Sequence, residues 1–122
     1  MTGYYLDTYA MVEIVSGNEN YKKYLKEQLY TSVFNLYELY YSLLKFCNED
    51  ATKKFFFYFK KGILQVKDEH IFEASRFKIK NIKRSLSYAD CIGYIIALRY
   101  GIKFLTGDKE FETLENVEFV KK

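Results

Sequence analysis

The residues best suited to chemistry lie in and around a long apolar stretch that carries two aspartates. Residues 87–108 read SYADCIGYIIALRYGIKFLTGD, with Asp90 near the start and Asp108 at the end. A buried carboxylate costs free energy unless a positive group meets it. If this stretch is buried, its two acids therefore require a positive partner.

Two of the acidic residues follow predicted strands. Asp7 comes after the apolar segment GYYL (residues 3–6), and Asp108 ends the segment KFLTGD (residues 103–108). In open α/β sheets, ligands bind outside the carboxyl ends of the strands. If these strands are parallel neighbours, the two carboxylates converge. An aspartate after a strand is also a common turn residue or helix cap, and that alternative stays open.

The other two acids lie on predicted helices. Asp90 opens a helix over residues 88–100 that is apolar nearly all round, as buried helices are. Ser87 stands three residues earlier, so Asp90 suits both a capping box and a functional ligand. Glu38 lies off the leucine stripe of its helix, where a solvated glutamate near Lys45 is the ordinary interpretation. Its position near the helix start leaves it free to face the same cleft.

Alternating strands and helices must position these acids. Hydrophobic periodicity predicts strands at 3–6, 29–33, 63–67 and 103–108, with a possible fifth at 117–120, and helices at 8–16, 19–29, 34–46, 51–62, after Asp68 and at 88–100. This order predicts an α/β fold in which helices flank a central parallel sheet of four to five strands. The length suits a single domain over residues 1–122.

Composition narrows the class of protein. The formal charge of +3 permits a polyanionic partner without requiring one. Cys47 and Cys91 lie in apolar helical patterns without a CxxC motif, which predicts reduced thiols. The N-terminal residues lack a signal-peptide pattern, and no apolar run approaches the roughly 20 residues of a membrane span. These features favour a soluble cytoplasmic protein without a membrane partner.

Four segments in order resemble the PIN-domain ribonucleases, most closely the VapC-type toxins of toxin–antitoxin pairs. They are YYLDT, NLYELYY, LSYADCIGYIIA and FLTGDKEF, and the resemblance covers essentially the whole chain. Ser87 and Asp90 match the family's Ser-x-x-Asp at the start of an apolar helix. Thr106, Asp108 and Phe111 match its Thr-x-Asp-x-x-Phe after a strand.

The first two segments supply the family's remaining acids, Asp7 and Glu38. Tyr9 departs from the pattern, because the family usually has a small polar residue two positions after the first aspartate. The resemblance implies a PIN-like domain with Mg²⁺-dependent endoribonuclease activity, in which Mn²⁺ substitutes for Mg²⁺. It also implies cleavage that leaves a 5′-phosphate and a 3′-hydroxyl.

The resemblance also implies roles for individual residues. The catalytic and metal-binding acids are Asp7, Glu38, Asp90 and Asp108. Asp7 and Asp90 would bind the ion most directly, while Glu38 and Asp108 would ligate a second ion or hold waters. The hydroxyls of Thr106 and Ser87 would orient these carboxylates.

RNA contacts are predicted from the basic segment RFKIKNIKRS (residues 76–85), next to Ser87. Its cations are Arg76, Lys78, Lys80, Lys83 and Arg84. A solvated basic face is an equally open interpretation. Tyrosines near the acids are candidates for base stacking, although core packing is the commoner role: Tyr9, Tyr37, Tyr41 and Tyr88.

The run KKFFFYFKK (residues 53–61) places aromatic rings on every side of a helix. One face suits the core of the domain, and the remainder predicts a second copy of the chain as its cover. A helix buried entirely within the monomer is the alternative. The resemblance likewise implies a homodimer, held inactive by a small antitoxin.

Other functions compete with the toxin. A free-standing PIN nuclease in RNA processing has the same acids. A catalytically inactive module that binds RNA or protein is disfavoured by the complete set of four. A receiver-like phosphoacceptor domain is disfavoured because LDTY offers a single aspartate where such domains need an acidic pair.

Overall fold

Strands and helices alternate along the chain, and the computed structural model describes all of residues 1–122. The strands are β1 (Tyr4–Leu6), β2 (Leu29–Tyr30), β3 (Lys103–Thr106) and β4 (Val117–Phe119). The helices are α1 (Thr8–Val15), α2 (Val33–Leu44), α3 (Glu49–Lys60), α4 (Asp68–Lys80) and α5 (Tyr88–Tyr100). Two 3₁₀ helices, Glu19–Lys26 and Lys109–Phe111, complete the chain.

The four strands form one parallel sheet in the order β2-β1-β3-β4, which confirms the predicted α/β architecture. In the central pair, Tyr5 lies opposite Phe104 and Leu6 opposite Leu105. This register brings the next residues, Asp7 and Thr106, side by side at the carboxyl edge of the sheet.

The strand predicted at residues 63–67 is wrong. Only Ile63 pairs, through a single parallel bridge to Thr31 at the edge of the sheet. Leu64 and Val66 pack against the core instead. Their alternation with polar residues therefore reflects packing over the core rather than a ladder of hydrogen bonds.

The sheet separates two apolar layers, because successive residues of a strand point to opposite faces. Tyr5 and Phe104 pack with α5 on one side. Leu6 and Leu105 pack with α1 and α2 on the other. Helix α5 is buried along most of its length, as its apolar sequence predicts. None of the helices combines the length and the apolar character needed to cross a bilayer.

Gly93 allows α5 to lie directly against the ring of Tyr5. A Cβ atom at Gly93 would come within 2.5 Å of Tyr5 Cε1 and 2.7 Å of its hydroxyl oxygen. The ring has no room to retreat, because Tyr5 is 0% exposed and stacks on Phe104. Gly93 therefore fixes the position of the Tyr5 hydroxyl beneath the carboxyl edge of the sheet.

Gly93→Ala is expected to destabilise the protein by about 1 to 3 kcal/mol through overpacking. The direction of the change in stability is the test, because inside an ordinary helix alanine stabilises the protein relative to glycine by about 1 kcal/mol. Urea unfolding measures the change. The matched control is the same substitution in a Tyr5→Leu background, where alanine should be neutral or stabilising. A gain of stability in the otherwise wild-type chain would contradict the close contact.

Candidate active site

The four predicted acids come from four elements that meet at the carboxyl edge of the sheet. Asp7 directly follows β1 and caps α1, while Asp108 lies just beyond β3 and caps the second 3₁₀ helix. Asp90 lies in the first turn of α5, whose cap is the Ser87 hydroxyl, 3.0 Å from the Asp90 amide nitrogen. Glu38 lies on α2. Asp7 and Asp108 therefore cap helices, as the ordinary interpretation predicts, while Asp90 lies in a first turn that Ser87 caps.

Thr106 connects the two aspartates that follow strands. Its hydroxyl donates a hydrogen bond to Asp7 Oδ2 and accepts one from the Asp108 amide at 3.0 Å. The Ala10 amide donates to the other oxygen, Oδ1 of Asp7, at 2.8 Å. Asp7 is only 1% exposed, so these bonds fix its carboxylate in the core of the site.

A second set of hydrogen bonds connects Glu38 with Asp90. The Thr8 hydroxyl donates to Glu38 Oε1 at 2.8 Å. The Asn35 amide nitrogen lies 3.1 Å from Thr8 Oγ1 and 3.4 Å from Asp90 Oδ1. Tyr5 donates its hydroxyl proton to Asn35 Oδ1 at 2.6 Å. Glu38 is thus half-buried and held by a hydroxyl, rather than solvated beside a lysine.

Thr8, Asn35 and Tyr5 were not among the sequence-based candidates. One signal was available for Asn35, which is a polar residue three positions before Glu38 on a helix whose Leu36, Leu39 and Leu43 are buried. No comparable signal marks Tyr5, because a tyrosine inside a strand usually packs in the core, as this one does.

The acids repel one another. Burial first, and then the negative charge of Asp90, raises the pKa of Asp7 well above its usual value. Burial, followed by the charge of Glu38, raises the pKa of Asp90 to about 6. Asp108 adds to both effects. No cationic side chain offsets this repulsion, since the two ion pairs of the protein join other residues.

The donor set fits a hard divalent cation such as Mg²⁺, which prefers carboxylate oxygens and completes its shell with water and phosphate oxygens. In the structure each of the four carboxylates is turned toward a hydrogen-bond donor. No three of them are arranged as a complete ligand set. The agreement with a cation therefore rests on the type, burial and mutual repulsion of the acids. Cys47 and Cys91 are free thiols outside this set.

Tyr9, the departure from the family pattern, borders the site. A Cβ atom on Gly107 would lie 2.3 Å from Tyr9 Cε1 and 2.7 Å from the Val120 carbonyl oxygen, so only glycine fits between Thr106 and Asp108. Burial and nearby negative charges, Asp108 among them, raise the pKa of Tyr9. The ring thus forms one wall beside Asp108, and Tyr9 is half-buried.

The basic segment divides between two surfaces. Lys78 donates to the Leu86 carbonyl and lies 4.8 Å from the centroid of the Tyr88 ring, next to the start of α5. Arg84 donates to the Glu110 carbonyl at 2.8 Å, next to the 3₁₀ helix that Asp108 caps. These two cations therefore border the acidic site.

The other three cations of the segment are exposed. Arg76 and Lys80 line a groove with Arg99 between α4 and α5. Lys80 also lines a smaller cleft with Lys83 and Arg84. Arg76 is therefore the member of the segment with no connection to the edge of the site.

Exposed aromatic side chains cover several helices. Tyr37, Tyr41 and Tyr88 are 74%, 60% and 78% exposed. On α3, Phe59 is buried whereas Phe57 and Tyr58 are exposed. The helix therefore uses one face for the core and leaves rings on another, as its sequence predicts.

Comparisons with known proteins agree with the fold. The family model of the PIN domain matches residues 4–117. No curated protein matches the chain significantly in sequence.

Several solved structures share the fold at low sequence identity. VapC20 of Mycobacterium tuberculosis, a toxin that cleaves the sarcin–ricin loop, superposes with a TM-score of 0.81 at 16% identity, covering 97% of this chain and 99% of its own. VapBC2 of Rickettsia felis, bound to a DNA fragment from its promoter, superposes with a TM-score of 0.76 at 17% identity, covering 99% of this chain and 100% of its own. A chain of a toxin–antitoxin complex from Klebsiella pneumoniae superposes with a TM-score of 0.75 at 18% identity, covering 95% of this chain and 96% of its own.

The family match spans nearly the whole chain and includes the first strand, the acid-bearing helices and the strand before Asp108. The parallel sheet and the acidic edge described above are consistent with it. The chain therefore belongs to the PIN domain family.

Proposed function

We propose that this chain is a metal-dependent endoribonuclease that acts as a VapC-type toxin. The observation that carries the proposal is the meeting of Asp7 and Asp90, two largely buried carboxylates that form no ion pair with a cationic side chain. Burial raises the pKa of both, and the charge of Asp90 adds to the effect on Asp7. The fold shared with VapC20, a toxin that cleaves the sarcin–ricin loop, supports RNA as the substrate. With RNA as the substrate, we expect the protein to act in the cytoplasm.

The acids would divide the work of holding the ion. Asp7 and Asp90 would bind Mg²⁺, or Mn²⁺ in its place, while Glu38 and Asp108 hold waters or a second ion. When bound by these residues, a divalent cation would supply polarisation of the scissile phosphate and a lowered pKa for an attacking water. Thr106 keeps Asp7 oriented through its hydroxyl, and it also holds the backbone of Asp108. Ser87 fixes the first turn of α5 and with it the position of Asp90.

The nuclease is tested by incubating structured and single-stranded RNA with the purified chain in Mg²⁺, Mn²⁺ or EDTA. We expect cleavage with either ion, none in EDTA, and products with a 5′-phosphate and a 3′-hydroxyl. Cleavage that persists in EDTA would contradict the proposed chemistry. Binding of RNA with no cleavage under any ion would favour the inactive binding module.

RNA would reach the acids along Lys80, Lys83 and Arg84, whose side chains line one cleft. Arg84 connects this cleft with the 3₁₀ helix that Asp108 caps. Lys80→Glu combined with Lys83→Glu is expected to weaken RNA binding and to lower the slope of log affinity against log salt by about 2. Fluorescence anisotropy across a salt series measures both quantities. The control, Lys53→Glu on α3 with Lys61→Glu just after it, makes the same charge change elsewhere. Equal losses in the two variants would show that only net charge matters.

Two exposed apolar surfaces suit the antitoxin and a second copy of the chain. The first combines α2 and α3, where Phe34, Tyr37, Tyr41 and Phe57 are exposed. The second is a groove of about 420 Å³ between α4 and α5, lined by Ile71, Ile79, Ile82, Tyr88 and Ile92 among others. A two-fold interface places the same patch against itself. The lysines that flank the rings of α3 would then repel. In place of the sequence-based prediction that a second copy covers these rings, we therefore assign the groove to the homodimer and the first surface to an antitoxin.

The toxin and the free-standing PIN nuclease share one active site and differ in partners. An antitoxin that copurifies with the chain from its own cells, and that suppresses cleavage when added back, identifies the toxin. Purification of an active enzyme without such a partner would favour the free-standing nuclease in RNA processing.

A further inference from the structure

We propose that Asn35 is a positioning residue that holds the carboxylates of Glu38 and Asp90 ready for a divalent cation, a role that rests on the proposed function. Asn35 lies on α2 and is 0% exposed. Its amide nitrogen is 3.4 Å from Asp90 Oδ1 and is separated from Glu38 by a single hydroxyl, that of Thr8. One buried amide thus lies between acids from two different helices.

The hydroxyl of Tyr5 decides which end of the Asn35 amide faces the acids. The Tyr5 oxygen lies 2.6 Å from Asn35 Oδ1 and 2.8 Å from Ser32 Oγ. A phenol has one proton to give. With that proton on Asn35 Oδ1, the Ser32 hydroxyl donates to Tyr5. The amide nitrogen of Asn35 must then point toward Thr8 and Asp90.

The hydrogens that Asn35 donates therefore lead to the two carboxylates, one directly and one through the Thr8 hydroxyl. The amide nitrogen of Asn35 gives one hydrogen toward Asp90 and the other to Thr8 Oγ1. Because Thr8 accepts from Asn35, its own proton is directed to Glu38, at 2.8 Å. A carboxylate held by a donor at one oxygen keeps the other oxygen oriented for a ligand. The position of two acids is set by a single side chain.

A purely structural amide would be expected to satisfy its donors within the core. In Asn35 only the amide oxygen bonds to a core residue, Tyr5. Both hydrogens of its amide nitrogen are directed to the site, to Thr8 Oγ1 and Asp90 Oδ1. Thr52 provides the contrast: it is also 0% exposed and lies on a helix, but its hydroxyl bonds to the Asn48 carbonyl at 2.9 Å, away from the acids.

The test compares Asn35→Leu, which keeps the volume but removes the donors, with Thr52→Val as the matched control. Titration of the purified chains with Mn²⁺ alone, by calorimetry or electron paramagnetic resonance, measures cation affinity without RNA. We expect Asn35→Leu to bind Mn²⁺ about 10- to 100-fold more weakly. In the cleavage assay at fixed metal, kcat should fall while the KM for RNA stays unchanged. Thr52→Val should leave both the affinity and kcat unchanged.

Two further measurements keep the inference testable if Asn35→Leu does not fold. Asn35→Ser retains one hydroxyl and should give an intermediate Mn²⁺ affinity. In ¹⁵N-labelled wild type, the side-chain amide signals of Asn35, identified by their loss in the serine variant, should shift when Mg²⁺ is added. Unmoved amide signals at saturating Mg²⁺, or Mn²⁺ affinity within about twofold of wild type in a folded variant, would overturn the role of Asn35.

The outcomes for Asn35 and for the nuclease are distinguishable. Wild type that binds Mn²⁺ but leaves RNA intact contradicts the nuclease, while the affinity of the Asn35 variants still decides the positioning role. Wild type that cleaves RNA, with an Asn35→Leu variant of unchanged affinity and kcat, contradicts the positioning role alone. Wild type that binds no divalent cation contradicts both.

Discussion

Asp90→Asn is expected to abolish RNA cleavage and, in EDTA, to make the protein more stable. Loss of one ligand that stabilises the transition state by about 3 kcal/mol lowers the rate by at least about 100-fold. The gain in stability follows from the pKa of Asp90, which burial and the charge of Glu38 raise to about 6. An asparagine has almost the same shape and carries no charge, so it removes the repulsion together with the activity.

The sign of this effect depends on pH. Below about pH 4 the Asp90 carboxyl is protonated in both the folded and the unfolded chain, so it costs nothing. Between about pH 4 and pH 6 the unfolded chain ionises first, and the folded state loses stability relative to it. Above pH 6 the penalty is complete, at most about 3 kcal/mol for a pKa raised to about 6.

Urea unfolding in EDTA at pH 4 and pH 7.5 measures that difference. Wild type and Asp90→Asn should be similar in stability at pH 4, and the variant should be more stable at pH 7.5. Asp68→Asn is the matched control, because Asp68 is an exposed aspartate in the first turn of α4 and shares only the helix-dipole effect. A variant that is less stable than wild type at pH 7.5 would contradict the repulsion within the acidic cluster.

The sequence predicts the acids better than the side chains between them. Asp7 and Asp108 follow strands whose parallel pairing could be anticipated from the alternation of elements, and their meeting depends on that pairing alone. Asp90 opens a helix that is recognisable as buried from its composition. In each case a local pattern, together with a rule about sheets or helices, was sufficient to place the residue.

Asn35 and Tyr5 could not be placed in this way, because their roles depend on side-chain directions that only packing decides. Tyr5 reaches Asn35 because Gly93 lets its ring lie against α5. Asn35 reaches Asp90 because α2 and α5 pack together, a contact that no local pattern encodes. The failed strand at 63–67 has the same origin: its apolar alternation is real, but the partner that would turn it into a ladder is missing beyond Thr31.

The remaining large effect is the stabilisation of the protein by divalent metal. Adding Mn²⁺ at about 100 times its dissociation constant should raise the free energy of unfolding by about 2.7 kcal/mol, provided that the unfolded chain does not bind the ion. For a chain of this length, that corresponds to an increase in Tm of the order of 10 °C. The reason is local: Asp7 and Asp90 carry charges that repel in the folded protein, and a cation replaces that repulsion with attraction.

Protons and Mn²⁺ compete for these carboxylates, so the increase in Tm should shrink on going from pH 7.5 to pH 5. At pH 5 the Asp90 carboxyl, with its pKa of about 6, is mostly protonated, and the more deeply buried Asp7 has a raised pKa as well. Differential scanning fluorimetry at both pH values measures the shift, with Asp90→Asn as the variant that should respond weakly at either. An equal increase at pH 5 and pH 7.5, or a full response by Asp90→Asn, would place the bound ion somewhere other than the carboxyl edge of the sheet.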